Sequence, residues 1–245
     1  MAFLVPLFPM IQLGETIQKE TTIEFINKDL LFNAFVHRSY LNEHKDKKLS
    51  SNEKMEFLGD SVLSLATSIY LFKHFPDLDE GTYTDIKASV VRTESLADAA
   101  VKLHFGSLVF LSRGEEQNGG RENKNILADC FESFIAALFL DQGFEKAYTF
   151  ILTWLFTDKL DYVVKNKLYL SPKSRLQELI QASHKALPTY AITTEAGPEH
   201  KKEFLISVSY NKKELGRGKG ASKKEAEEQA AKNALEFLKK NSYTI

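Results

Sequence analysis

The amino-acid sequence predicts an all-α domain followed by a small α+β module ordered α-β-β-β-α. Three observations lead there. Across residues 21–164 apolar residues recur at helical spacing, and no alternating run survives. Across residues 173–240 the pattern becomes a helix, three alternating runs and a long Ala-rich helix. The charge changes with it. Ser171 to Ile245 carries 14 Lys and Arg against 9 Glu, a net of +5, which leaves −6 for the rest of a chain whose total is −1. An acidic first part and a basic last part suggest separate tasks, with the basic part holding a polyanion.

Length and composition set the outer limits. At 245 residues the chain can hold one large domain or two modest ones, and at 43% hydrophobic it has enough apolar material for a sizeable core. Its single cysteine, Cys130, excludes an intramolecular disulfide, and there is no Cys/His cluster to suggest zinc. Both features fit a reducing cytosol, so a cytoplasmic protein is expected. The apolar start, Met1 to Leu13, is interrupted by Pro6 and Pro9 and lacks a basic n-region, so a secretory signal is not expected. No later run is long enough to span a membrane. Residues 1–20 are expected to form a poorly ordered or loosely packed extension, residues 21–164 the first domain, 165–172 a linker and 173–240 the second domain.

Taken in order, Thr22–Asn27 and Asp29–His37 predict a short helical opening. His37 is a candidate ligand or base, although packing at a helix end is the expected role. Glu43–Ser51 predicts an exposed loop. Asn52–Leu63 then opens a long helix that runs through Phe75 and ends before Pro76. On it Glu53, Glu56 and Asp60 (i, i+3, i+7) share one stripe, while Met55, Leu58, Val62, Leu65 and Ile69 predict the core face. Beyond Asp60 the acidic stripe runs into Ser64, Thr67 and Leu71, so that side becomes covered as well.

Thr82–Val91 and Glu94–Leu103 predict two further helices, the second with Leu96, Ala97, Ala100 and Val101 inward. Arg113–Arg121 predicts a Gly-rich polar loop that either touches substrate phosphates or is a flexible lead-in to the next helix. Asn125 is the expected N-cap of that helix and Gly143 follows its end. Asp129 and Glu132 are i, i+3 neighbours on it, and Phe134–Leu140 has no polar face, which predicts a central position. Phe144–Asp161 predicts a last amphipathic helix.

Two covered helices that each carry carboxylates on one stripe suggest a single four-carboxylate pocket: Glu56, Asp60, Asp129 and Glu132. Two like charges at close range repel by about 4 kcal/mol at an effective dielectric of 20. Such a cluster calls for a hard divalent cation, and oxygen-only ligands fit Mg²⁺ or Mn²⁺.

In the second domain Pro172 breaks any continuous helix, and Ser174–Ser183 predicts a helix with Leu176, Leu179 and Ile180 inward. Thr189–Thr194, Glu203–Tyr210 and Lys213–Gly218 predict strands, and Ser222–Leu238 a helix opened by a Ser222/Glu225 capping box. Lys223 and Lys224 in its first turn oppose the helix dipole. A phosphate docking there would reverse that penalty, and Gly216, Gly218 and Gly220, with Lys219 among them, favour it over a merely solvated charge run.

Asn52-Glu53-Lys54-Met55-Glu56-Phe57-Leu58-Gly59-Asp60-Ser61-Val62-Leu63 resembles the signature of the ribonuclease III family. Gly119-Gly120-Arg121 followed by Ile126-Leu127-Ala128-Asp129-Cys130-Phe131-Glu132 resembles its second acidic segment, and His37-Arg38-Ser39-Tyr40 its early helix-end motif. Gly197-Pro198-Glu199-His200 and Gly218-Lys219-Gly220-Ala221-Ser222-Lys223-Lys224-Glu225-Ala226 resemble the double-stranded RNA-binding domain.

The resemblance implies a Mg²⁺-dependent endoribonuclease (Mn²⁺ as substitute) that cuts double-stranded RNA, leaving 5′-phosphates and short 3′ overhangs, with work in rRNA and mRNA processing. Glu56, Asp60, Asp129 and Glu132 would be catalytic, with Glu56, Asp129 and Glu132 as metal ligands. Asp60 would orient water, and Glu53 would make a structural or inter-subunit bond. A homodimer is implied, with Phe57 inserting into the partner. Gln177, Glu178 and His200 would contact the minor groove, and Lys219, Lys223 and Lys224 the phosphates. Ser133, Ala136 and Asn125 depart from the family's common residues. A scaffold that binds duplex without cutting, or a structural Ca²⁺ site, would be the competing outcomes.

Overall fold

The computed structural model describes residues 7–45, 49–157, 159–198 and 202–240. The chain divides into two compact units, Met1–Val164 and Lys165–Ile245. The first is helical: α1 Leu7–Thr21, α2 Lys28–Ala34, α3 Arg38–Glu43, α4 Glu53–His74, α5 Glu80–Val90, α6 Thr93–Lys102, α7 Phe105–Leu108, α8 Arg113–Gln117, α9 Lys124–Gln142, α10 Phe144–Ile151 and α11 Lys159–Lys165. The second contains α12 Pro172–His184, β1 Thr189–Ala196, β2 Glu203–Tyr210, β3 Lys213–Gly220 and α13 Lys223–Lys240, with an antiparallel sheet in the order β1-β2-β3. Among the described residues no helix is long and apolar enough to cross a membrane.

α9 is the hub of the first unit. Ile126, Leu127, Ala128, Cys130, Phe131 and Ser133–Leu138 are all buried, as its missing polar face predicts. Phe25, Phe35, Phe105 and Phe150 ring Phe134 at centroid distances of 5.5, 6.2, 5.1 and 4.9 Å. α4 packs along α9. The approach is close because residue 59 is Gly: a Cβ there would lie 1.9 Å from the Glu132 carbonyl oxygen.

Several expectations are corrected. The N-terminal extension is not loose from Leu7 onward, since α1 buries Leu13 and Ile17. Leu13 and Ile17 stand four residues apart on one face, and Pro9 falls within the first turn of the helix, where its missing N–H is tolerated. The core face of α4 is rotated from the expected one. Met55, Gly59, Val62, Leu63, Ala66, Thr67 and Leu71 are buried, whereas Leu65 is 53% exposed. Ala99 replaces Val101 on the inner side of α6. Leu179 is exposed on α12.

Local chemistry explains the boundary shifts. α5 starts at Glu80 because the Asp79 carboxylate accepts the Thr82 N–H at 2.8 Å. α9 is capped by Asn123, whose side chain accepts the Asn125 N–H at 2.9 Å, so Asn125 is not the cap. The expected helix Phe144–Asp161 is broken by a π-helical turn, Leu152–Phe156. Arg113–Arg121 is folded: α8 and a 3₁₀ turn, Gly120–Glu122, replace the loop. Arg121 donates to Glu116 at 2.7 Å and to the Gly106 carbonyl at 2.8 Å, which makes it a structural clamp. The expected linker is shortened at both ends. α11 runs through Lys165, and Pro172 begins α12 at its N1 position behind the N-cap Ser171.

In the second unit Leu176, Ile180, Val208, Leu215, Ala230, Ala231, Ala234 and Leu238 form the core. A Cβ at Gly218 would sit 2.1 Å from the Ala230 nitrogen. The glycines of β3 therefore let the strand press against α13.

Candidate active site

The acidic residues of α4 and α9 meet where Gly59 brings the two helices together. One carboxylate oxygen each from Glu56, Asp129 and Glu132 lie within 4.8 Å of one another. All three side chains are partly buried. Asp60 is exposed and stands outside this trio, although its charge acts on Glu132 and Glu56. Glu53 is also exposed. One of its oxygens accepts the Ser51 hydroxyl at 2.7 Å and the other lies 3.8 Å from Arg38.

Electrostatics mark the trio. Burial, reinforced by Asp60, Asp129 and Glu56, pushes the Glu132 carboxyl up to about 8. Burial and then Glu56 push Asp129 up to about 6, with Arg38 pulling the other way. Burial raises Glu56 as well, helped by Glu53 and Asp60. Among the described residues no Lys or Arg forms an ion pair with any of the three. Three carboxylates in one place, without a paired cation from the chain, suit a hard divalent ion.

A pH dependence follows. In the metal-free chain the folded state holds the Glu132 proton more tightly than its ordinary value of 4.5 allows. Its stabilising contribution is complete below that value and is lost as pH rises through about 8. Melting temperature in chelator should therefore fall between about pH 5 and about pH 8, and added Mg²⁺ should raise it more at the upper end. Thermal unfolding by circular dichroism across that range checks this.

His37 caps α3. Its Nδ1 accepts the Ser39 N–H at 3.3 Å and lies 2.8 Å from Ser39 Oγ, and burial lowers its pKa. The His37-Arg38-Ser39-Tyr40 stretch thus begins a helix where it was expected to end one. Ser133, one of the departures, is used: its hydroxyl donates to the Asn52 carbonyl at 3.2 Å and ties α9 to the start of α4. Phe57 is 79% exposed, and Phe72 on the same helix is 74% exposed.

In the second unit Gln177 and Glu178 are exposed on α12, and Glu178 pairs with Lys167 at 2.6 Å. Lys219 is exposed on β3 and pairs with Glu203 at 2.8 Å. Lys223 and Lys224 are exposed in the first turn of α13, with Lys223 Nζ 5.8 Å from the Phe204 ring centroid. The capping box is displaced by one residue: Ser222 Oγ accepts the Glu225 N–H at 3.2 Å, but Glu225 accepts from Ala221 at 2.8 Å. His200 lies outside the described residues.

A helical domain that converges three carboxylates, followed in the chain by an α-β-β-β-α module with exposed lysines at a helix N-terminus, is built as an endonuclease for RNA duplexes. Residues 27–159 match the Ribonuclease-III-like family and residues 172–238 the double-stranded RNA binding motif. The chain is 47% identical over 223 residues to Ribonuclease 3 of Geobacillus sp. strain WCH70, covering 91% of this chain and 90% of that protein. It is 46% identical over 229 residues to Ribonuclease 3 of Bacillus cytotoxicus, covering 92% and 91%. A solved structure of the nuclease domain of ribonuclease III from Campylobacter jejuni superposes with a TM-score of 0.55 at 38% identity, over 59% of this chain and 97% of that one. The chain belongs to the ribonuclease III family and is an endoribonuclease of that type.

Proposed function

We propose that the chain works as a homodimer that hydrolyses phosphodiester bonds in double-stranded RNA with Mg²⁺, leaving 5′-phosphates and short 3′ overhangs, in the processing of rRNA and mRNA precursors in the cytoplasm. The observation that carries this reading is the meeting of Glu56, Asp129 and Glu132 at one point. Their donor set is oxygen only, which fits Mg²⁺, with Mn²⁺ as a substitute. Glu56, Asp129 and Glu132 would hold the ion, which would supply a water of lowered pKa and stabilisation of the leaving 3′-oxygen. Asp60, exposed beside the trio, would orient the attacking water. Gln177, Glu178 and His200 contact 2′-hydroxyls in the minor groove, and Lys219, Lys223 and Lys224 hold phosphates.

The homodimer reading rests on the exposed phenyl of Phe57, which stands on the α4 surface one position from Glu56. The Campylobacter jejuni relative is itself described as having a region involved in dimer formation. Two sites in one dimer would cut both strands. Phe57→Glu should weaken the dimer by at least about tenfold, because a charge would have to be buried where an aromatic side chain inserts. Sedimentation across a dilution series reads it.

The enzyme reading is tested by incubating a long RNA duplex, and its separate strands, with the protein in Mg²⁺ and in chelator. Duplex-only, metal-dependent products ending in 5′-phosphate are expected. If metal raises the melting temperature while no product forms, the site is structural and the enzyme reading falls.

A further inference from the structure

Beside the carboxylate trio lies a cleft lined in part by Arg38, Glu53, Glu56, Glu115, Asn123 and Asp129. Four of these are carboxylates. A polyanion entering such a cleft is repelled by these four carboxylates, and Arg38 is the permanent cation in the lining.

Arg38 is built to face outward. It is the first residue of α3, fixed there by the His37 cap, and its side chain is 73% exposed. Among the described residues its one ion pair, to Glu53 at 3.8 Å, is long and engages only part of a five-donor fork. Glu53 is held from behind by the Ser51 hydroxyl at 2.7 Å. Ser51, Glu53 and Arg38 thus form a line that orients one guanidinium at the cleft. An exposed pair of this length contributes little to stability. Arg38 forms no ion pair with Asp129, yet it lines the same cleft as Asp129 and Glu56.

Resting on the nuclease reading above, we propose that Arg38 is a substrate-contacting residue whose guanidinium binds an RNA backbone phosphate next to the scissile one, and that Glu53, held by Ser51, is its positioning residue. A planar fork matches two phosphate oxygens, which a lysine ammonium does not. This assigns a task to Glu53, which like Asp60 is an acid of the α4 stripe that stands outside the trio.

The test uses the full chain, Mg²⁺ and a labelled RNA duplex, with steady-state kinetics at several KCl concentrations. Arg38→Ala should raise KM about tenfold, change kcat less, and make the salt dependence of kcat/KM shallower by about one counterion. Arg38→Lys should restore the salt slope but not the full KM. Glu53→Gln should raise KM with the slope unchanged, and should add nothing in the Arg38→Ala background. A purely structural pair would instead lower the melting temperature in both variants and leave the slope alone, which overturns the proposal. A wild type that cuts while Arg38→Ala matches it in KM and slope overturns it too, and leaves the nuclease reading standing. A wild type that does not cut removes that reading and this inference together.

Discussion

Glu132→Gln is expected to lower duplex cleavage by about a thousandfold while leaving duplex binding intact. Glu132 is the acid most perturbed by its neighbours: burial, Asp60, Asp129 and Glu56 all raise it. Gln keeps the shape and removes the charge. A neutral amide oxygen is a poorer ligand for a hard cation, and losing metal-based stabilisation of the reaction is worth several kcal/mol, on the order of three powers of ten in rate. Removing the Glu132 titration should at the same time shrink the fall in melting temperature with pH to the part that Asp129 and Glu56 contribute. Binding survives because the Lys165–Ile245 unit has its own core. Single-turnover cleavage, set beside gel-shift binding in chelator, separates the two effects. A variant that cuts within tenfold of wild type would mean that the trio is not where the metal acts.

Gly59→Ala should destabilise the first unit by about 3 kcal/mol. In an exposed helix the same change helps, by up to about 1 kcal/mol, so the sign is diagnostic. Here the new methyl would meet the Glu132 carbonyl oxygen at 1.9 Å and its carbon at 2.5 Å, and neither backbone atom can swing aside. α4 and α9 would have to part, and Glu56 would leave Asp129 and Glu132. Stability and metal affinity should therefore fall together, which denaturant unfolding with and without Mg²⁺ would record. An unchanged unfolding midpoint would show that the helices have room to spare.

How far the chain could be read in advance depended on whether a feature was local. The carboxylate stripes of α4 and α9 were visible because i, i+3 spacing on a helix is a property of the helix itself. The αβββα order was visible for the same reason, since alternation and capping are short-range signals. The orientation of α4 was not. Its stripes offered two apolar-looking sides, and Leu65 was placed inside although it is exposed. Only the neighbour decides which side is inner: α9 meets α4 at Gly59, and Leu63 and Thr67, four and eight residues on, are buried. Arg121 and the segment around it looked like a loop because glycines and charges resemble a loop. The hydrogen bonds to Glu116 and Gly106 that fold it come from the segments around it.

By itself, then, the order of residues determined the two kinds of domain, the helix stripes that carry the acids and the basic start of α13, because each depends on spacing along one element. The tertiary structure decided that three acids meet and Asp60 stands apart, that the β3 glycines serve packing, and that Arg38 faces the cleft. Those depend on which backbone atoms approach from elsewhere in the chain, and close approach between helices is set by the smallest residue at the crossing.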